Sequence, residues 1–238
     1  MERKDFLKGL GLVGLGTIAL PIINSCSKDD VANPGNNHIV SCDVSPSETE
    51  GPFPTHSPSS FVTNDIRADR TGVLLTANIH IQNHNADDTA LAGAIVDVWH
   101  CDREGNYSEY GGGGMQSGNY TALHFLRGRQ TTDANGKVAF TTIFPGWYNG
   151  RATHIHVHVY NSSGTSLVVT QIAFPEAADS AVATVNASTA HGYTKGMNGY
   201  TYNANDNVFN DSAACELAEV TGTIADGYVL ESTIIVSA

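Results

Sequence analysis

The sequence predicts an all-β protein, a single β-sandwich with long functional loops, and three observations carry that expectation. Short segments alternate apolar and polar residues with a period of two; turn signals separate them; and neither a long amphipathic helix nor a βαβ alternation nor an internal repeat is visible. The composition agrees: 41% hydrophobic and 15% charged residues with 24 glycines in 238 residues describe a globular chain with enough apolar side chains for one core.

The first strand is expected over residues 72–82 and the second over 94–100, where Ile95, Asp97 and Trp99 share one face and Val96 and Val98 the other. Residues 137–143, 153–160 and 166–174 follow as strands. Asp133-Ala-Asn-Gly136 marks a turn, and Asp226-Gly227 joins 220–225 to 228–236 as a terminal hairpin. The stretch 175–186 is the one modest helix candidate. Long loops remain at 103–120 and 187–215, a length that in a compact domain marks function or disorder.

The N-terminus reads differently. Arg3, Lys4 and Lys8 precede an apolar run from Gly9 to Ile23, the order of an export signal, and at fifteen residues the run is too short to span a bilayer. Its end, Ile23-Asn-Ser-Cys26, resembles a bacterial lipobox, which makes residues 1–25 a lipoprotein signal peptide and Cys26 the lipid attachment site. Residues 26–41 read as a flexible tether and 42–238 as the folded domain. Arg3-Lys4-Asp5-Phe6-Leu7-Lys8 resembles a degenerate twin-arginine signal, and Ser27-Lys-Asp-Asp30 a surface-export signal of some lipoproteins. The expected location is the cell envelope, with the outer-membrane surface as its most exposed option and the lipid as the sole membrane contact. Lys and Arg number 12 against 24 Asp and Glu, and removal of the signal leaves 9 against 22. Such an acidic domain offers nucleic acid nothing to bind. Cys42, Cys101 and Cys215 permit one disulfide and one free thiol, and any pairing of the three fits.

The most chemical stretch is Pro145-Gly-Trp-Tyr148-Asn-Gly-Arg151-Ala-Thr-His154-Ile-His156-Val-His158. Alternate residues of a strand project from one face, so His154 and His156 stand about 6.5–7 Å apart at Cα and can direct imidazoles at one ion. His158 lies about 13 Å from His154 on a straight strand, too far to join them, and reads as structural. Tyr148 just upstream is the nearest further donor, with no Asp or Glu to replace it. Two phenolates with two imidazoles favour a hard trivalent ion such as Fe(III) over zinc, and Tyr107 in Gly105-Asn-Tyr107 is available as the second phenol.

These residues resemble the intradiol ring-cleavage dioxygenases, non-haem ferric enzymes, and most closely their secreted single-domain branch. The resemblance runs through Thr49-Glu-Gly-Pro52-Phe53, Leu91-Ala-Gly-Ala-Ile-Val-Asp97-Val-Trp99-His100, Gly105-Asn-Tyr107, Phe125-Leu-Arg127-Gly128 with Gln130-Thr131, Pro145-Gly-Trp-Tyr148 and Arg151-x-x-His154-x-His156. It implies Tyr107, Tyr148, His154 and His156 as ligands of Fe(III), and Arg151 as a cation at the substrate. Gln171 is implied as a pocket residue and Pro52 and Phe53 as substrate contacts. The implied substrates are a catechol and O2, the implied product a cis,cis-muconate, and Tyr148 doubles as a base when the catechol enters. Pro54 stands where the family often has Tyr, and the helical dimerisation segment of the catechol enzymes is missing, so the particular catechol and the choice between monomer and homo-oligomer stay open. Two other readings fit part of the pattern: a lipid-anchored transthyretin-like binding module, and a zinc or copper enzyme using the His-x-His pair.

Overall fold

The computed structural model describes residues 42–211 and 213–238. The expected signal peptide, tether and lipid-bearing Cys26 lie outside the described residues. Among those described, no helix is long and apolar enough to cross a membrane.

Nine strands among the described residues form two sheets. The first contains β1 (Leu74–Asn83), the short β2 (Thr89–Ala90), β5 (Lys137–Ile143), β8 (Glu219–Thr223) and β9 (Gly227–Val236). β1 pairs antiparallel with β2 and β5 on one side and parallel with β9 on the other, and β9 pairs antiparallel with β8. The second sheet has the order β4-β3-β6-β7, all antiparallel, from β3 (Ile95–Trp99), β4 (Arg127–Thr131), β6 (His154–Tyr160) and β7 (Ser166–Ala173). One short helix, α1 (Ala181–Asn186), begins at Ser180, whose hydroxyl accepts the Ala183 N–H, and fills only the end of the expected helical stretch.

The period-two pattern explains the sandwich. Leu75, Ala77, Ile79 and Ile81 of β1, Val138 and Phe140 of β5, and Leu230 and Ile234 of β9 face Val96, Val98, Ile155, Val157, Val159, Val168 and Ile172 of the second sheet in one buried core. Each fully buried Ile, Leu or Phe there contributes roughly 1.5–3 kcal/mol by leaving water, and Ile79→Ala would forfeit about 2–5 kcal/mol through the cavity it opens. The terminal hairpin forms, but its turn is Ile224-Ala-Asp226 and not Asp226-Gly227, since Gly227 already belongs to β9 and pairs with Thr223. The β1–β9 pairing was not expected, since a parallel partner some 150 residues away leaves no local turn signal.

β4 was also missed, because Arg-Gly-Arg-Gln-Thr carries no apolar alternation. Its polar side chains are nonetheless placed: Arg129 pairs with Asp97 of β3 at 2.5 and 2.6 Å, and buried Arg127 donates to the Ser108 hydroxyl and carbonyl, the Phe53 carbonyl and the Thr55 hydroxyl. Four of its five N–H donors are thereby used and the Glu109 carboxylate lies 3.5 Å from Nε, which offsets part of the cost of burying the charge.

Cys42 and Cys215 form the disulfide and Cys101 is the buried free thiol, which selects one pairing of the three open in the sequence. Burial and the Asp102 charge push the Cys101 thiol far above its usual pKa, so it is an inert core group.

The outer face of the second sheet positions the chemistry. Cross-strand register puts Arg127, Trp99, His156 and Gln171 in one row across β4, β3, β6 and β7. All four are buried although they point away from the sandwich core, because the segment 48–56 and the loops 100–126, 144–153 and 203–211 contribute residues that cover them.

Candidate metal centre

Tyr107 is placed by the loop after β3. The Asp102 carboxylate accepts the backbone N–H groups of Glu104 and Asn106 at 3.0 and 2.9 Å, closing a tight turn at Gly105. Gly105 has φ +87°, and a Cβ there would collide with the Trp147 carbonyl, so only glycine lets this loop touch the one carrying Tyr148. The Gln116 side chain accepts the Tyr107 N–H at 2.8 Å and donates to the Tyr107 carbonyl at 3.1 Å, and Phe53 stacks on the phenol with centroids 4.7 Å apart. Tyr148 sits between β5 and β6, on a loop held by Lys195 donating to the Trp147 carbonyl at 2.6 Å and the Trp147 indole donating to the Gly196 carbonyl.

His154 and His156 open β6 on its outer face. The Nδ1–H of His154 donates to the Ala152 carbonyl at 2.6 Å, which fixes the tautomer and leaves Nε2 as a bare lone pair. That Nε2 lies 3.1 Å from His156 Nε2 and 3.1 Å from the Tyr107 hydroxyl. The phenol of Tyr148 lies edge-on to both, its centroid 5.7 Å from His154 and 5.8 Å from Tyr107. His156 stacks flat on Trp99 at 4.9 Å, its Nδ1 has no hydrogen-bond partner, and a Cβ on Gly51 would stand 3.0 Å from its Cε1.

The donor set fits a cation. One lone pair on His154 Nε2 can accept only one of its two neighbours, so the cluster brings together more lone pairs than protons in a dry place. Donors about 2.1 Å from one ion stand about 3 Å apart when at right angles, the separation seen here. Among the described residues no group of three or more His, Cys, Asp or Glu gathers as a metal cluster, so the phenols are what complete this set. Burial holds both imidazoles well below the ordinary histidine range, aided by Arg151 at His154 and by His154 at His156, and both are neutral donors. In the protein alone burial raises both phenols, with Arg151 opposing the rise, so a cation would have to draw their protons off.

Arg151 borders the set. Its Nη1 points at the Tyr148 hydroxyl at 3.5 Å, its Nη2 donates to Gln171 Oε1 at 2.6 Å, and its Nε donates to the Asp206 carboxylate at 3.0 and 2.9 Å. Burial works against this guanidinium's charge, but Tyr148 and Asp206 outweigh it and raise its pKa. Gln171 in turn donates to the Thr49 carbonyl at 2.9 Å.

The structure therefore brings Tyr107, Tyr148, His154, His156, Arg151, Gln171 and Phe53 together. Pro52 is exposed, and Phe53 alone of that pair is buried. His158 is structural as expected, stacked on Tyr160 and bonded to Ser166. Sequence reasoning missed Asp206, Gln116 and the stacking role of Trp99. The signal available for Trp99 was its position on the same face as Asp97, opposite the core face.

Comparison with known proteins gives the family. A family model described as Dioxygenase matches residues 54–207, which contain both tyrosines, both histidines, Arg151, Gln171 and Asp206. The chlorocatechol 1,2-dioxygenase of Rhodococcus opacus is 25% identical over 190 residues, 71% of this chain and 69% of that one. The catechol 1,2-dioxygenase 1 of Acinetobacter lwoffii is 30% identical over 107 residues, 37% of this chain and 33% of that one. Among solved structures, an intradiol ring-cleavage dioxygenase from Tetranychus urticae superposes with a TM-score of 0.72 at 25% identity, covering 82% of this chain and 95% of that one. With a family match over more than half its length, a single-domain β-sandwich and a site of two phenols and two imidazoles, the chain belongs to the intradiol ring-cleavage dioxygenases and is an oxidoreductase.

Proposed function

We propose that the protein is a ferric dioxygenase that cleaves the ring of a catechol-type substrate between its two hydroxyl-bearing carbons, placing both atoms of O2 in a cis,cis-muconate. The observation that carries this is the convergence of Tyr107, Tyr148, His154 and His156 beside Arg151. Catechol and O2 together contain every atom of muconic acid, so no further reductant is needed.

Tyr107, Tyr148, His154 and His156 would hold the metal, and Fe(III) would supply a hard Lewis acid that a doubly deprotonated catechol can chelate and that activates its ring towards O2. The chain's own residues do the rest. Tyr148, held by the metal as a phenolate, would be the base that takes up a catechol proton: burial favours its neutral form, and Arg151 beside it tempers that preference. With the Tyr148 oxygen neutralised by that proton, Arg151 Nη1 would be free to face negative charge growing on the substrate, in a site walled by Phe53, Trp99 and Tyr107 where such an interaction counts for more than in water. Gln171 holds Arg151 from the β7 side and ties it to the segment that places Gly51 and Phe53 over the site. The buried neighbours of the imidazoles exclude water that would otherwise compete for them.

The same proposal covers location: residues 1–25 direct export, Cys26 carries the lipid, and the domain from Cys42 works in the cell envelope. The acidic composition is consistent with a small-molecule substrate and no nucleic acid.

Oxygen uptake by the iron-loaded protein with catechol, protocatechuate and hydroxyquinol, with muconate-type products identified, tests the function. Ring opening of at least one substrate between the hydroxyl-bearing carbons supports it. No uptake with any of them, or opening outside the two hydroxyls, contradicts it.

A further inference from the structure

The loop 187–215 holds Arg151 through the Asp206 carboxylate. Asp206 is fully buried, and its Oδ1 and Oδ2 accept the Arg151 Nε–H at 3.0 and 2.9 Å. The same carboxylate accepts the backbone N–H of Ala152 at 2.6 Å and of Val208 at 2.8 Å. Three residues on, Phe209 lies 5.6 Å from the Arg151 guanidinium carbon and 6.4 Å from the His154 ring.

A guanidinium is planar and its donors are fixed relative to one another. Asp206 takes the Nε corner and Gln171 the Nη2 corner, so the direction of Nη1 is determined, and it points at the Tyr148 hydroxyl. Neither anchor touches the Tyr148 oxygen in this arrangement. The Ala152 N–H accepted by Asp206 belongs to the residue whose carbonyl fixes the His154 tautomer, so one carboxylate holds the Arg151–Ala152 backbone and the Arg151 side chain together.

We propose that Asp206 is the positioning residue for Arg151: it holds Nη1 beside the Tyr148 oxygen, at the edge of the site where negative charge would develop on the substrate, and it acts on turnover through that aim. This rests on the function proposed above and names a residue that function does not require by itself. Asp206 acts on the site through the Arg151 side chain and the Ala152 N–H, so its effect belongs to the reacting state more than to binding.

Asp206→Asn keeps the volume and an acceptor for one of the two backbone N–H groups, turns an amide NH2 towards the other, and removes the charge that holds Nε. The expected result is a cooperatively folded protein with wild-type iron content and visible absorption, kcat reduced about tenfold or more and KM changed less than about threefold. A second readout needs no activity: in metal-free protein the Arg151 Nε–H, shielded by its carboxylate, should exchange slowly with solvent in wild type and markedly faster in Asp206→Asn. Formate added to Asp206→Ala should restore part of the lost turnover, and should restore none to Arg151→Ala. An equally active Asp206→Asn at equal iron content overturns the proposal, as does unchanged Arg151 exchange. A variant that fails to fold or to hold iron assigns Asp206 to the fold and overturns it too. Wild type assayed alongside separates the two claims: an inactive wild type sinks the dioxygenase function, while an active wild type with an equally active variant sinks only the role of Asp206.

Discussion

The Trp99 indole lies parallel to the His156 imidazole, with centroids 4.9 Å apart and an interplanar angle of 0°. The contact follows from register, since Trp99 of β3 is paired directly with His156 of β6. His154 is oriented by a hydrogen bond from Nδ1, whereas His156 has no such bond and depends on this stack and on Gly51 for its direction.

Trp99→Leu should therefore loosen the metal more than it loosens the fold. Outer partners of metal-bound histidines typically contribute 10–100-fold to affinity, and a loss in that range is expected in a chelator-competition titration. Unchanged affinity would show that the stack is packing alone.

Arg151→Ala should keep the metal and its colour but lose most turnover, because the side chain supplies no ligand and acts on charge that develops after substrate binds. Steady-state kinetics on metal-matched samples check this, with a larger fall in kcat than rise in KM as the expected pattern. Loss of folding or of the metal would assign Arg151 to structure.

Acid should weaken the fold in the range where a free histidine takes up its proton. Burial pushes His100 from 6.5 down to about 4, its two nitrogens engaged by the Cys101 carbonyl and the Thr142 hydroxyl. The folded state thus resists a proton that the unfolded chain accepts, so stability is complete above pH 6.5 and falls as pH drops from there towards 4. For His100 alone the loss by pH 5 is about 2 kcal/mol, and the buried imidazoles of His154 and His156 add to it in the same direction. Urea denaturation of metal-free protein at pH 7 and pH 5 measures the difference. Equal stability at both would refute the neutral, buried state assigned to these rings.

What could be read in advance divides along physical lines. Leu75, Ala77, Ile79 and Ile81 announce β1 because one face meets the core, and His154 and His156 announce a shared face by the same period. β4 hides, since Arg127 and Arg129 are satisfied by hydrogen bonds and an ion pair, which leave no apolar rhythm. The phenol of Tyr107 could be offered to the histidines from donor chemistry and implied as their partner by resemblance to known enzymes, but not placed, because about 47 residues and a sharp turn separate them in the chain. Asp206 left no signal at all: its partner Arg151 is 55 residues away, and a lone Asp in an Asn-rich loop looks like solvent-exposed turn. The choice of Cys42 with Cys215 is equally a product of the fold, with 173 residues between them.

Cys26→Ser should abolish lipid attachment in the full chain. Wild type is expected to incorporate labelled fatty acid and to partition into detergent, and the variant to remain as uncleaved, unlabelled precursor. Labelling that persists in the variant would place the anchor elsewhere.

The central claim is a ferric site built on two phenols, and the visible spectrum of the purified protein with its metal content tests it most directly. The expected result is a red-brown protein with stoichiometric iron, whose visible band falls sharply in Tyr107→Phe and in Tyr148→Phe. A colourless wild type carrying stoichiometric zinc after growth in iron-replete medium, or a band that survives nearly intact in both variants, would contradict it.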